Sequence, residues 1–166
     1  MAQGVVSPLP STWLPDNASS QSRWIVLAGS GSEGISVTAG SYTFRMTVDL
    51  TGYNPATAEI TGLQFAADDS LGGISINGAN VYIPSSNGFN AFHFTPDVGL
   101  GSFQEGLNTI DFQVSNGSLS PLGFRADGLV VASVPDPTSL SFVGTIGLLA
   151  CIRRPHCSDP SCTGAE

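Results

Sequence analysis

Along most of the chain up to Val134 the apolar positions recur every second residue, and the alternation is clearest from Tyr42 to Leu50. Tyr42, Phe44, Met46, Val48 and Leu50 share one face of an extended strand, while Thr43, Arg45, Thr47 and Asp49 share the other. One face is expected to be core and the other wet. Ala58 to Ala67 reads as the next strand, with a change of phase between Ile60 and the pair Leu63 and Phe65 that a bulge at Gly62 would produce. Asn77-Gly78 separates Ile74-Ser75-Ile76 from Val81-Tyr82-Ile83, and both turn residues tolerate positive φ, so a β-hairpin is predicted there. Phe89, Phe92 and Phe94 supply aromatic bulk to another strand. Gly106 to Val114 alternates Ile110, Phe112 and Val114 against Asp111 and Gln113, and Leu122 to Val134 closes the set with a kink or turn at Asp127-Gly128. Asp68 to Gly73 and Asn116-Gly117 read as turns. Nearer the start, Trp24 to Ala28 is compatible with a buried strand and Val5-Val6 with an edge strand. Met1 to Ser22 is otherwise loop, with Trp13 either a buried plug or an exposed aromatic. Strands at this spacing, with no long helical pattern before Val134, predict an all-β fold over residues 1–133: an antiparallel β-sandwich or jelly roll.

The pattern changes at Val134. Pro135 and Pro137, on either side of Asp136, remove two backbone donors and push the residue before each proline away from the helical region, so the sandwich is expected to stop there. Thr138-Ser139 can cap one short C-terminal hydrophobic helix running to Ile152, with no charged position inside it. At about 1.5 Å per residue that run reaches only ~22 Å, short of the ~30 Å hydrocarbon core, so as a membrane span it is marginal. Arg153 and Arg154 follow, and arginines beside an apolar run favour the cytoplasmic side. The bulk of the chain is then expected outside the cytoplasmic membrane. Residues 134–154 form a segment of their own, and 155–166 are expected to be a disordered tail.

Val134-Pro135-Asp136-Pro137, the apolar run and Arg153-Arg154 together resemble the C-terminal PEP-CTERM sorting signal of bacterial exported proteins, with Asp136 where that family usually has Glu. The resemblance covers about twenty residues and implies export, recognition by an exosortase-type membrane transpeptidase, and delivery to the cell surface or an exopolysaccharide matrix. Such proteins start with a secretory signal peptide and finish at the basic cluster. Met1 to Leu14 has neither a charged start nor a long apolar core, and twelve residues follow Arg154. The expectation is a gene that starts further upstream and a tail set by its reading frame or boundary. Upstream of the signal, Gly40-Ser41-Tyr42-Thr43-Phe44-Arg45, Asp49-Leu50-Thr51-Gly52, Ala66-Ala67-Asp68-Asp69, Asn77-Gly78, Gly106 to Phe112 and Gly123-Phe124-Arg125 are together similar to a galactose-binding-like jelly roll. Members of that broad fold often bind carbohydrate or carry a structural calcium, but fold does not fix ligand.

Composition narrows the partners. Lysine is absent, the formal net charge is -8, and only 11% of residues are charged. Nucleic acid is an unsuitable partner for such a surface, because phosphate binding needs clustered basic residues. Cys151, Cys157 and Cys162 all lie beyond the predicted sandwich, so no disulfide framework is expected in it. Gly29 to Gly34 fits a G-x-G-x-x-G pattern, yet strand alternation follows it where a nucleotide site would need a helix, so a loop is expected.

Asp68, Asp69 and Asn77 are oxygen donors of the kind calcium favours, around one hairpin; Asp and Asn in turns also bond their own backbone, which is the competing explanation. Sugar binding needs an aromatic platform beside polar groups, and Trp13, Trp24, Tyr53, Tyr82 and Arg45 are candidates. Tyr53 stands out for its polar turn. His93 is expected to be a strand-face histidine, and no nucleophile elbow or paired carboxylates accompany it, so no enzyme is predicted. In the tail, His156, Cys157 and Cys162 match no standard zinc spacing. The function expected is that of an exported, non-enzymatic surface or matrix protein, the alternative being a lectin-like module or glycan-active enzyme.

Overall fold

The structure is a computed structural model in which residues 2–4, 9–16, 22–27 and 36–135 are described. Its strands are β1 (Ala2–Gly4), β2 (Ile25–Leu27), β3 (Gly40–Asp49), β4 (Asn54–Asp68), β5 (Ser70–Ile76), β6 (Ala79–Tyr82), β7 (His93–Phe94), β8 (Leu107–Asn116) and β9 (Gly123–Ser133). They form a five-stranded sheet in the order β1-β2-β9-β4-β7 and a four-stranded sheet in the order β3-β8-β5-β6. Every pairing is antiparallel, and no helix occurs among the described residues. The chain divides into two units, Met1–Val134 and Pro135–Glu166. The expected C-terminal helix, Asp136, Pro137, Arg153, Arg154 and the tail lie outside the described residues, as do Val5-Val6 and the Gly29 to Gly34 loop.

The two sheets share one core. Phe44 of β3 and Phe112 of β8 meet Phe124 of β9 at ring-centroid distances of 5.4 and 4.8 Å, so aromatic rings join the sheets across the middle. Ile60, Phe65, Ile74, Ile76, Ile110 and Val114 fill the space around them. The period-two pattern of β3 holds on its wet face, where Thr43, Arg45, Thr47 and Asp49 are all exposed. On the other face Phe44 and Leu50 are buried and Tyr42 and Val48 are partly buried against the core. Met46 departs from the expectation, being 45% exposed on the edge strand of its sheet.

The phase change in β4 is a bulge. Thr61 faces Leu129 and Gln64 faces Asp127, so Gly62 and Leu63 together oppose Gly128. Gly62 takes φ +60°, a left-handed conformation open to glycine at little cost. A Cβ on Gly128 would lie 3.1 Å from the Leu63 backbone, a tight approach that the glycine relieves. β9 therefore runs through Asp127-Gly128 without turning. Asn77 (φ 51°) and Gly78 (φ 85°) form the predicted hairpin between β5 and β6.

Two expected elements differ. Asp68 to Gly73 is not a turn: Asp68 ends β4, and after Asp69 the chain enters β5 in the other sheet, with Leu71 buried. The two carboxylates thus sit at a crossover between layers. The aromatic strand around Phe89 to Phe94 shrinks to His93–Phe94, because Phe89 and Phe92 leave the sheet to cover a second apolar cluster. That cluster gathers Trp13, Trp24, Val26 and Ala66. Ala67, the next residue of β4, packs into the main core. Successive strand residues point to opposite faces, so the second cluster lies on the outer face of the five-stranded sheet.

Candidate functional site

A buried carboxylate, Asp68, lies at the β4–β5 crossover, beside this outer cluster. Trp13 and Trp24 pack at 4.3 Å between ring centroids. The Trp24 indole N–H donates to the Leu14 carbonyl at 2.8 Å, and that of Trp13 donates to Asp68 Oδ2 at 2.7 Å. Asp69 turns the other way, with Oδ2 accepting from the Gly117 amide at 2.7 Å. The segment before β2 is thereby clasped to the crossover, and the crossover to the end of β8.

Burial pushes the Asp68 carboxyl up to about 6, aided by the hydrogen bond and charge of Asp69 and opposed by the Trp13 N–H. A carboxyl raised above its usual 3.8 holds its proton longer in the folded chain than in the unfolded one. Its contribution to stability is therefore full below about pH 4 and is lost as pH rises through about 6, on the order of 2 kcal/mol after the screening by solvent that reaches a partly exposed carboxyl. Asp68→Asn keeps an oxygen for Trp13 and removes the charge. Urea denaturation across pH 4–7 is expected to show a flattened profile and a gain on the order of 2 kcal/mol at pH 7; an unchanged slope would mean that Asp68 is not the titrating group.

Arg125, the third residue of β9, is 1% exposed, a buried guanidinium. Its Nη1 lies 2.9 Å from Asp16 Oδ1, an ion pair rather than a well-aligned hydrogen bond. Nη1 also donates to the Pro15 carbonyl and Nε to the Ser22 hydroxyl. The guanidinium carbon sits 4.9 Å from the centre of the Phe92 ring. Composition alone treats an arginine between Phe124 and Ala126 as a strand-face charge. No local sign sets it apart, because the same face of β9 also carries Asp127 and Ser133.

The structure separates the candidate calcium donors. Asp68 and Asp69 stand at the start of β5, while Asn77 lies beyond its other end. There Asn77 donates to Asn108 Oδ1 and accepts from the Thr109 amide. Among the described residues no group of three or more His, Cys, Asp or Glu side chains could hold a metal ion. Of the aromatic candidates for sugar contact, Trp13 and Trp24 are buried and Tyr82 is half-buried, whereas Tyr53 is 46% exposed on the β3–β4 turn. Arg45 is held by Asp111 through two hydrogen bonds of 2.6 and 2.7 Å, and Asp111 is lowered chiefly by that hydrogen bond. His93 lies on β7 with its ring against Phe65 and Nδ1 3.2 Å from the Ser86 hydroxyl.

Val134 and Pro135 follow β9 directly, and both are exposed. Among the described residues no helix is long and apolar enough to cross a membrane. The fold defines an all-β protein of two antiparallel sheets with a second apolar cluster clasped outside them. No protein-family model, curated protein or solved structure matches the chain.

Proposed function

We propose that this chain is an exported, non-enzymatic protein of the cell surface or extracellular matrix, delivered by its segment Val134 to Arg154. The observation that carries the reading is the order Pro135-Asp136-Pro137, uncharged apolar run, Arg153-Arg154, placed immediately beyond the last strand, which ends at Ser133. An address of this kind has to be reachable by a membrane enzyme while the rest stays folded, and a first unit that ends at Val134 suits that division. The partner is an exosortase-type transpeptidase, the membrane engages through the C-terminal segment, and the ectodomain is a galactose-binding-like jelly roll that associates with exopolysaccharide. The test is expression behind a signal peptide in an exosortase-bearing host, with intact mass measured on the recovered protein. Loss of the residues beyond the proline turn and recovery from the envelope or medium are expected. A full-length cytosolic product would defeat the reading.

The exposed ring of Tyr53 favours a second reading, a lectin-like module. A glycan array run with and without calcium separates the two: specific binding that disappears in Tyr53→Ala selects the lectin.

A further inference from the structure

Four strands end the two sheets, and three are short: β1 has three residues, β7 two and β6 four. The fourth, β3, has ten residues, pairs with β8 in unbroken register, and pairs with no described strand on its outer side. It contains no proline, lysine or bulge, three of the devices that blunt an edge, and its charges are one of each sign, Arg45 and Asp49. The direction of its free groups follows from β8. Thr109 accepts from the Asn77 amide and its own amide donates to Asn77 Oδ1, so its backbone groups point away from β3. Thr47, opposite Thr109, is then a non-hydrogen-bonded pair within the sheet, and its N–H and C=O point outward. Leu50, of opposite parity, donates inward to Gly106 at 2.9 Å, as this requires. Thr43, Arg45, Thr47 and Asp49 thus present a row of backbone donors and acceptors to whatever lies beside them.

We propose that the β3 edge pairs antiparallel with β3 of a second copy of this chain, about a twofold axis through Thr47, joining two four-stranded sheets into one. The charges select this register. Only an axis at Thr47 sets Arg45 opposite Asp49 of the second copy, and it does so twice. An axis at Arg45 would oppose two arginines. Both side chains have an atom to spare: Arg45 gives Nε and Nη2 to Asp111, leaving Nη1, and Asp49 gives Oδ1 to the amide and hydroxyl of Thr51, leaving Oδ2. The same axis sets Met46, exposed against expectation, opposite the partly buried Val48 of the second copy. Backbone pairing at residues 45, 47 and 49 would add about six hydrogen bonds. This pairing is independent of the sorting segment and of any glycan ligand.

One strand pair makes a small interface, so a weak, reversible dimer is expected. Sedimentation of the purified full chain from about 1 to 200 micromolar should show a reversible monomer–dimer equilibrium. Thr47→Pro removes an outward-pointing donor and no bond to β8, and should abolish the dimer while circular dichroism still shows a folded chain. Asp49→Arg, which opposes two arginines, should weaken it at least on the order of tenfold. Thr47→Val, which keeps the edge intact, should not. A monomeric wild-type chain throughout the range, or a dimer that persists in a folded Thr47→Pro or is indifferent to Asp49→Arg, overturns the proposal. Pairing of the edge with an extended peptide of another protein while the chain alone remains monomeric overturns it as well.

Discussion

Alanine at Gly123 is expected to cost about 4 kcal/mol of unfolding free energy. The first Cβ of the substitution would lie 2.4 Å from two ring atoms of Trp13 and 3.1 Å from Trp24. No real side chain tolerates the first distance, and Trp13 cannot retreat without giving up its bond to Asp68. The substitution therefore adds overpacking to a buried carboxyl left without its donor. Trp13 and Trp24 are the only tryptophans in the chain, so native emission reports on this cluster alone. Gly123→Ala should red-shift that emission and lower the urea midpoint, while the far-ultraviolet signal of the main sheets persists. Unshifted emission with wild-type stability would mean that the strap carrying Trp13 does not hold this position.

Loss of Arg125 is expected to be of similar size, about 3–5 kcal/mol for Arg125→Ala. The guanidinium links β9 to Asp16, Pro15 and Ser22 and lies against Phe92, so it ties down both chain segments that cover the outer face. Removing it leaves the mostly buried Asp16 carboxylate beside a cavity. Desolvation dominates such pairs, so the double substitution Arg125→Met with Asp16→Leu should recover most of the loss, because neither charge is then stranded. Denaturant unfolding of Arg125→Met, Asp16→Leu and their combination closes the cycle that measures the coupling. A double variant as unstable as Arg125→Ala would place the cost in lost packing instead of charge.

Both substitutions act on a layer that local pattern did not announce. The strands of the main sandwich were legible because each buries one face, and one-sided burial writes itself into sequence as alternation. The β5–β6 hairpin was legible for a different reason, since Asn77-Gly78 is local chemistry for positive φ. Gly62 belongs to the same kind, a glycine at a break of phase. Asp68-Asp69 misled because acidic residues beside glycines have the composition of a turn, whereas here the chain changes sheets and strand begins again at Ser70. Phe89 and Phe92 misled for the opposite reason: their alternation is strand-like, yet they leave the sheet to cover Trp13 and Trp24.

The candidate site was legible in part. Tyr53 in a polar turn is exposed, as such a position suggests. The pairing of Trp13 with Asp68 spans 55 residues of chain, and no local signal links a tryptophan in a proline-rich stretch to a particular carboxylate. The pairing of Arg45 with Asp111 spans 66 residues and depends on the register of β3 against β8.

By itself the sequence determined the all-β character, the approximate strands and the hairpin at Asn77-Gly78, because each follows from periodicity or backbone preference within a few residues. The tertiary structure alone decided which carboxylate is buried, which arginine is enclosed, which glycine lies under a tryptophan and which long strand stands, among the described residues, at the edge of its sheet. Those outcomes depend on which distant segments come to lie against each other, and burial, proton affinity and edge exposure are properties of that arrangement rather than of any residue in it.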